Sequence, residues 1–148
     1  MADENAMVRL ADSIAVIAQE GDVLTLAGDL GTGKSVFARA FISMRNGAPL
    51  EVPSPTFTLV QSYDLEFGTI HHFDLYRLET PEDALEVGLE DAFSSGISLI
   101  EWPDRAEGLL PLSRLEICIV YGESNNQRTV RIKGDAAWKQ RWENAAFV

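Results

Sequence analysis

The amino-acid sequence predicts an α/β fold in which helices cover both faces of a mainly parallel central sheet. Segments with helical periodicity alternate with short apolar segments along the chain, which is the order that produces such a sheet. A glycine-rich turn at residues 28–35 joins the first predicted strand to the second predicted helix. The 148 residues are enough for one domain, so we expect residues 1–148 to form a single domain.

Each predicted element depends on a local pattern. Apolar residues at helical spacing predict helices over about residues 6–19 and 35–44, and a proline followed by acidic residues predicts another helix that begins at Pro81. Short apolar or alternating runs predict strands, two of which flank residues 66–68 as an antiparallel hairpin. The predicted strands are residues 23–27, 56–65, 69–75, 97–100, 115–121 and 129–133, and a last helix covers 136–146.

The composition is acidic and limits the classes of partner. Asp and Glu number 23 against 12 Lys and Arg, so the formal net charge is −11. An electrostatic field of this sign repels nucleic acid. We therefore expect no DNA binding, and no binding of RNA by this chain alone. No apolar run approaches the ~18 residues of a membrane span and the first residues do not resemble a signal peptide, so a cytoplasmic location is expected. The single cysteine, Cys118, excludes an internal disulfide, and its apolar neighbours predict a buried thiol.

The sequence Gly-Asp-Leu-Gly-Thr-Gly-Lys-Ser at residues 28–35 fits the pattern GxxxxGK(S/T) at every fixed position. Glycines let the backbone wrap a polyphosphate with its N–H groups inward, and the N-terminus of the following helix adds partial positive charge. Lys34 can reach the β- and γ-phosphates, and the Ser35 hydroxyl can bind Mg²⁺. This turn predicts a three-layer fold of the P-loop NTPase type. The predicted nucleotide-binding residues are Asp29, Leu30, Gly31, Thr32, Gly33, Lys34, Ser35 and Val36.

The absence of two GTPase motifs from the sequence indicates which nucleotide the chain binds. The strings DxxG and NKxD, which are typical of GTPases, do not occur in the sequence. We therefore expect ATP with Mg²⁺ as the bound species. A small phosphotransferase remains an alternative, although an arginine-rich lid, which such enzymes usually carry, is not evident after the loop.

Two carboxylates follow apolar strands and are candidates for the metal. Glu101 ends the run Ile-Ser-Leu-Ile-Glu, and the C-terminal tip of a parallel strand lies where ligands bind in such sheets. The alternative for Glu101 is a cap on the next helix. Asp74 ends another apolar strand, earlier in the chain, and either holds Mg²⁺ or the attacking water, or makes a strand-end hydrogen bond. Thr56, in Ser-Pro-Thr, either senses the γ-phosphate or belongs to a plain turn. Arg77 is a candidate arginine finger.

Three other features favour structural interpretations. His71 and His72 are neighbours on a strand and point to opposite faces, which disfavours a shared zinc ion. Residues 79–91 hold six acidic residues and no basic one, which predicts a solvated helix face or a docking surface. Trp138 and Trp142 share a helix face and are expected in the core. A basic C-terminal region, with a scattered surface distribution as the simpler interpretation, comprises Arg128, Arg131, Lys133, Lys139 and Arg141.

Four motifs together resemble the TsaE (YjeE) family. They are GDLGTGKS, SPTFTLV, HFDLYRL and LIEWPD, in this order, and the likeness spans residues 21–111, about three-fifths of the chain. The resemblance implies a small P-loop ATPase of tRNA threonylcarbamoyladenosine biosynthesis. Such a protein acts with TsaB and TsaD, which install the threonylcarbamoyl group on adenosine 37 of tRNAs reading codons that begin with A. Its ATP hydrolysis supports turnover and does not perform the transfer, so tRNA is reached indirectly through the complex.

The resemblance also implies roles for individual residues. Lys34, Thr56, Asp74 and Glu101 correspond to the catalytic positions, and Ser35 and Glu101 to the Mg²⁺ ligands. Ser35 stands where the family commonly has threonine, and the two hydroxyls are equivalent ligands. Met7 is a departure from the family, because it stands near a position where the family often has a threonine that helps to hold the nucleotide. Asp104, in IEWPD, replaces a glutamate and is expected outside the site. A nucleotide-gated adaptor that binds ATP without turnover remains a further alternative.

Overall fold

The computed structural model describes residues 4–29, 31–48, 59–66, 68–80, 82–83, 88–106, 108–123 and 127–144. The helices are α1 (Glu4–Ile17), α2 (Lys34–Asn46), α3 (Leu89–Phe93) and α4 (Ala136–Asn144), with a 3₁₀ turn at Pro103–Ala106. The strands are β1 (Val23–Ala27), β2 (Val60–Leu65), β3 (Gly68–Asp74), β4 (Ile97–Glu101), β5 (Leu115–Tyr121) and β6 (Arg128–Lys133). Within these residues, no helix has the length and apolar character needed to cross a bilayer.

The strands form one six-stranded sheet in the order β2-β3-β4-β1-β5-β6. Strands β3, β4, β1 and β5 run parallel, and β2 and β6 pair antiparallel with them at the two edges. The predicted α/β class and parallel centre are therefore confirmed, as is the hairpin of β2 and β3. The second hairpin, formed by β5 and β6, was not predicted because the turn between these strands carries no two-residue hairpin signal.

Apolar residues pack on both faces of the sheet, which gives three layers. On one face, α1 and α2 cover alternate residues of the central strands, including Leu24, Leu26 and Leu99. On the other face, α3 and the 3₁₀ turn cover a smaller group that includes Phe73 and Ile100. Because strand residues alternate between faces, these two groups come from the same strands. The first strand, β1, lies in the middle, so its C-terminal end delivers the glycine-rich turn to the centre of one sheet edge.

Several predicted boundaries differ from the observed ones. Helix α2 continues to Asn46, where Gly47 adopts φ 78° and its N–H bonds the carbonyl of Met44 at 3.1 Å. Strand β2 begins at Val60, and residues 56–58 of the predicted strand lie outside the described residues. Of the helix predicted from Pro81, residues 82–83 are helical, and the described helix α3 begins only after Gly88. The last residues of the predicted helix 136–146 also lie outside the described part.

Two side chains, Cys118 and Trp142, differ from their predicted surroundings. Cys118 is half-buried. In β5 it alternates with the buried Ile117 and Ile119, so it lies on the face of the sheet that α3 and the 3₁₀ turn cover. Trp138 is buried as predicted, whereas Trp142 is 37% exposed. The basic C-terminal residues do not form one patch, because Arg141 donates to Asp22 at 2.7 Å and Arg128 donates to the glycine-rich turn. The interpretation of a scattered distribution therefore holds.

Candidate functional site

The glycine-rich turn begins where β1 meets its neighbour β5. Gly28 has φ 148°, and a Cβ atom at this position would overlap the backbone carbonyl of Ile119 in β5. Only glycine allows this approach. The turn is closed by the Thr32 hydroxyl, which is buried and donates to the Asp29 carbonyl at 2.8 Å. The hydroxyl of Thr32 therefore ties the start of α2 back to Asp29.

Lys34 lies at the first position of α2 and is only 5% exposed. Its ammonium group donates to the Gly28 carbonyl and lies 3.7 Å from the centre of the Trp102 ring. Burial lowers the pKa of Lys34 below its ordinary value, although nearby carboxylates oppose the effect. Those carboxylates, from the strongest to the weakest, belong to Glu101, Asp74, Asp29 and Asp104. The lysine is thus held at the base of the turn, facing negative groups.

Glu101 and Asp74 are neighbours at the carboxyl edge of the sheet. They end β4 and β3, are paired in the parallel register, and are both buried. Glu101 follows Leu99 by two residues and therefore faces the same side as α2. The Leu75 N–H donates to the Glu101 carbonyl at 3.1 Å, which continues the pairing one residue beyond the strand. Two carboxylates thus converge with Lys34 beside the turn.

His72 forms a buried contact with Glu101 that the sequence did not predict. Its Nε2 lies 2.7 Å from Oε2 of Glu101, and both side chains are almost fully buried. The Nδ1 atom is buried without a hydrogen-bond partner in the part of the chain that the structure describes. Because a carboxylate oxygen accepts hydrogen bonds, Nε2 is the donor in this contact. His72 therefore fixes the orientation of the Glu101 carboxylate.

Two residues with left-handed backbone flank the site. Trp102 has φ 59° and Leu59 has φ 68°, which is uncommon for residues with a Cβ. The turn at Trp102 places its indole over Lys34 and at 4.8 Å from the Tyr76 ring centroid. The Leu59 carbonyl accepts from the Asp74 N–H at 3.0 Å. Strained residues of this kind cluster at functional sites, where surrounding contacts hold them.

The other predicted site residues differ in how far they are exposed to solvent. Asp29, Gly31 and Ser35 are exposed, while Val36 is half-buried. Leu30 and Thr56 lie outside the described residues. Arg77 is exposed in the turn that follows Asp74. Met7 is buried, and its methyl group would lie 3.4 Å from a Cβ atom at Gly33, so α1 contacts the turn at this point.

The donor set fits Mg²⁺ better than a transition metal. Among the described residues, no group of three or more His, Cys, Asp and Glu side chains is arranged to hold a metal ion. Mg²⁺ requires no such cage, because it keeps several waters and uses one or two protein oxygens together with substrate phosphates. The exposed Ser35 hydroxyl and the Glu101 carboxylate are oxygen donors of that kind.

Comparison with known proteins gives a consistent result. The model of the family described as "Threonylcarbamoyl adenosine biosynthesis protein TsaE" matches residues 1–130. A protein of Rickettsia bellii named tRNA threonylcarbamoyladenosine biosynthesis protein TsaE is 40% identical over 114 residues, which cover 77% of this chain and 79% of that protein. The protein of the same name from Haemophilus influenzae is 37% identical over 80% of this chain and 78% of its own length.

The fold has a counterpart among solved structures. The crystal structure of Bacillus subtilis YdiB superposes with a TM-score of 0.81 and 28% sequence identity, covering 99% of this chain and 90% of that one. A Bacillus subtilis protein named tRNA threonylcarbamoyladenosine biosynthesis protein TsaE is 40% identical over 111 residues, 74% of this chain and 68% of that protein. The family match over most of the chain and these identities lead to one conclusion: the chain belongs to the TsaE family.

Proposed function

We propose that this protein is a Mg²⁺-dependent ATPase of tRNA threonylcarbamoyladenosine biosynthesis, acting as a single domain in the cytoplasm. It supports the modification of adenosine 37 in tRNAs that read codons beginning with A. It acts with TsaB and TsaD and reaches tRNA through that complex. The observation that carries the proposal is the convergence of Lys34, Glu101 and Asp74 beside the glycine-rich turn.

Each group has a distinct task in this proposal. The loop N–H groups and Lys34 stabilise negative charge on the transferring phosphoryl group. Ser35 and Glu101 hold the Mg²⁺ ion, which neutralises phosphate charge when bound. Asp74, together with Thr56, orients the attacking water. His72 keeps the Glu101 carboxylate in place through its 2.7 Å contact.

Lys34 lies at the base of the turn, where a bound nucleotide would place its phosphates. Its ammonium group donates to the Gly28 carbonyl and lies against the Trp102 ring. Phosphate oxygens offer the ammonium group a stronger, charge-assisted hydrogen bond. We expect slow hydrolysis by the isolated chain, because a guanidinium group must still be brought to the phosphate. Arg77 or a partner protein is the source we propose.

Single-turnover hydrolysis of labelled ATP tests the function. The chain is mixed with ATP and Mg²⁺, alone and then with TsaB and TsaD, and phosphate release is followed. The proposal predicts slow release that the partners accelerate. ATP that stays intact in both mixtures would indicate a nucleotide-gated adaptor. A labelled product other than inorganic phosphate, formed in a metabolite extract, would indicate a phosphotransferase.

A further inference from the structure

The edge hairpin of β5 and β6 contacts the outer side of the glycine-rich turn. Arg128, the first residue of β6, donates from Nε to the Thr32 carbonyl at 3.2 Å and from Nη2 to the Gly31 carbonyl at 3.4 Å. Its guanidinium carbon lies 4.4 Å from the centre of the Tyr121 ring. Tyr121 is the last residue of β5 and pairs with Arg128 in the antiparallel register. One side chain therefore bridges two successive carbonyls of the turn.

These carbonyls are the ones that a polyphosphate-binding turn must direct outward. When the N–H groups of such a turn point at the ligand, successive carbonyls point away from it and need partners of their own. A guanidinium group suits this task because its planar fork donates to two acceptors at once. It also places a positive charge behind the turn, on the side opposite to Glu101 and Asp74.

The packing of Tyr121 restricts the turn from the same side. Gly31 has φ 81°, and a Cβ atom at this position would lie 2.9 Å from the Tyr121 hydroxyl. The tyrosine thus borders the turn at Gly31 while its ring supports Arg128. Cation–π contact with a half-exposed ring holds the guanidinium group flat and limits its rotamers.

From these contacts we propose that Arg128, supported by Tyr121, is a positioning residue that holds the glycine-rich turn in its phosphate-binding shape. The inference rests on the proposed nucleotide site and assigns a task to the C-terminal edge of the sheet. Arg128 acts through the backbone of Gly31 and Thr32 rather than by touching the nucleotide. Its loss therefore weakens the binding of every polyphosphate ligand to the same degree, whatever the base.

Equilibrium binding to the full chain tests this role. Arg128→Ala and Arg128→Lys are compared with wild type for ATP, GTP and inorganic tripolyphosphate. Arg131→Ala is the matched control, because Arg131 is an exposed arginine on the same strand. We expect Kd to rise about tenfold for all three ligands in Arg128→Ala, since two hydrogen bonds from a charged donor are lost. Arg131→Ala should bind like wild type.

The conservative variant separates hydrogen bonding from simple charge. Arg128→Lys keeps the positive charge but cannot bridge both carbonyls while lying on the ring, so it should restore only part of the affinity. The defect should persist at high salt, where exposed charges are screened. Tyr121→Leu should weaken binding less than Arg128→Ala, and the double variant should match Arg128→Ala. Thermal unfolding of each nucleotide-free variant shows that the fold is intact.

Several results would overturn the inference. If Arg128→Ala binds like wild type, the contact with the turn has no role in binding. If only ATP binding is weakened, Arg128 reads the base instead. Full recovery in Arg128→Lys, or a defect that disappears at high salt, would reduce the role to general electrostatics. If the wild-type chain binds none of the three ligands, the proposed function fails and this inference fails with it.

Discussion

The two antiparallel hairpins at the edges of the sheet lie on opposite sides of the glycine-rich turn and contribute side chains of opposite charge. The β2–β3 hairpin contributes His72 and Asp74, which are almost fully buried and face Lys34 and Glu101. The β5–β6 hairpin contributes Arg128 and the half-exposed Tyr121, which contact the turn from outside. The β2–β3 edge therefore places the Asp74 carboxylate in front of the turn, beside Glu101 of the neighbouring strand β4, and the β5–β6 edge places a cation behind the turn.

The difference in burial predicts different roles for the two sides: the buried carboxylates act in catalysis, and the partly exposed arginine supports the turn. A buried carboxylate cannot be altered without changing the charge that Lys34, and a metal ion if one binds, would experience, because little water screens it. A partly exposed arginine that bonds two carbonyls can be removed with little effect on the fold. We therefore expect changes to the buried carboxylates at the ends of β3 and β4 to lower turnover strongly, and changes on the β5–β6 side to weaken affinity.

The largest effect is expected for Glu101→Gln on the carboxylate side. The amide keeps the shape of the side chain and can still accept a hydrogen bond from His72, but it removes the negative charge that we assign to Mg²⁺. The turnover rate of Mg²⁺-ATP should fall about 100-fold or more, as for other groups that stabilise transition-state charge. Phosphate release measures the loss.

Glu116→Gln on β5 is the control for this prediction, since Glu116 pairs with Arg114 away from the turn. It should leave hydrolysis unchanged. Wild-type turnover in Glu101→Gln would contradict the assignment of Glu101 as a metal ligand.

Arg128→Ala is the matching substitution on the β5–β6 side. We expect it to lower the affinity for the nucleotide about tenfold. The turnover of Arg128→Ala at saturating ATP should stay close to that of wild type. Glu101→Gln, in contrast, should keep its affinity for ATP in the absence of Mg²⁺. If both variants lose turnover and affinity to the same degree, the two edges do not act separately.

Lys34→Met tests the charge that lies between the two edges. Burial lowers the pKa of Lys34, so the charged lysine costs stability, and the neutral side chain should raise the free energy of unfolding at neutral pH. The unfolded chain binds the proton more tightly, so wild-type stability recovers as the pH rises toward the ordinary value of 10.5.

Urea unfolding of both proteins at neutral and at alkaline pH measures this difference. The advantage of Lys34→Met should shrink as the pH rises. A variant that is less stable than wild type at neutral pH would show that the surrounding carboxylates outweigh burial.

The smallest effect is expected for Tyr63→Phe in β2. The Tyr63 hydroxyl is buried and, within the described residues, has no hydrogen-bond partner, and burial raises its pKa. Removing it should leave stability unchanged or raise it by about 0.5 kcal/mol, because an unpaired buried polar group is lost. Thermal unfolding measures the change. A clear loss of stability would mean that the hydroxyl has a partner in solution.

The positions that could be predicted from the sequence are those fixed by local pattern. A strand followed by GxxxxGKS places Lys34 at the start of a helix, and an apolar strand places Glu101 and Asp74 at the carboxyl edge. His72 could be assigned to the face of Asp74 by strand alternation. Its partner could not be predicted, because Glu101 lies 29 residues away and the order β3-β4 is set by tertiary packing.

The same limit applies to the other edge. Arg128 contacts Thr32 across 96 residues of chain, and the basic residues around it gave no local signal that distinguished it from Arg131. The stacking of Trp102 on Lys34 depends on a left-handed backbone that the sequence Glu-Trp-Pro does not require. Long-range register and local strain, rather than residue type, therefore decided the parts of the site that were missed.

Calorimetric titration of the chain with ATP in the presence of Mg²⁺ is the most direct test that the glycine-rich turn binds the nucleotide. Wild type, Lys34→Ala and the exposed control Lys139→Ala are compared under the same conditions. We expect one ATP site in wild type, an affinity about 100-fold lower in Lys34→Ala, and no change in Lys139→Ala. If Lys34→Ala binds ATP as tightly as wild type, the glycine-rich turn is not the nucleotide site.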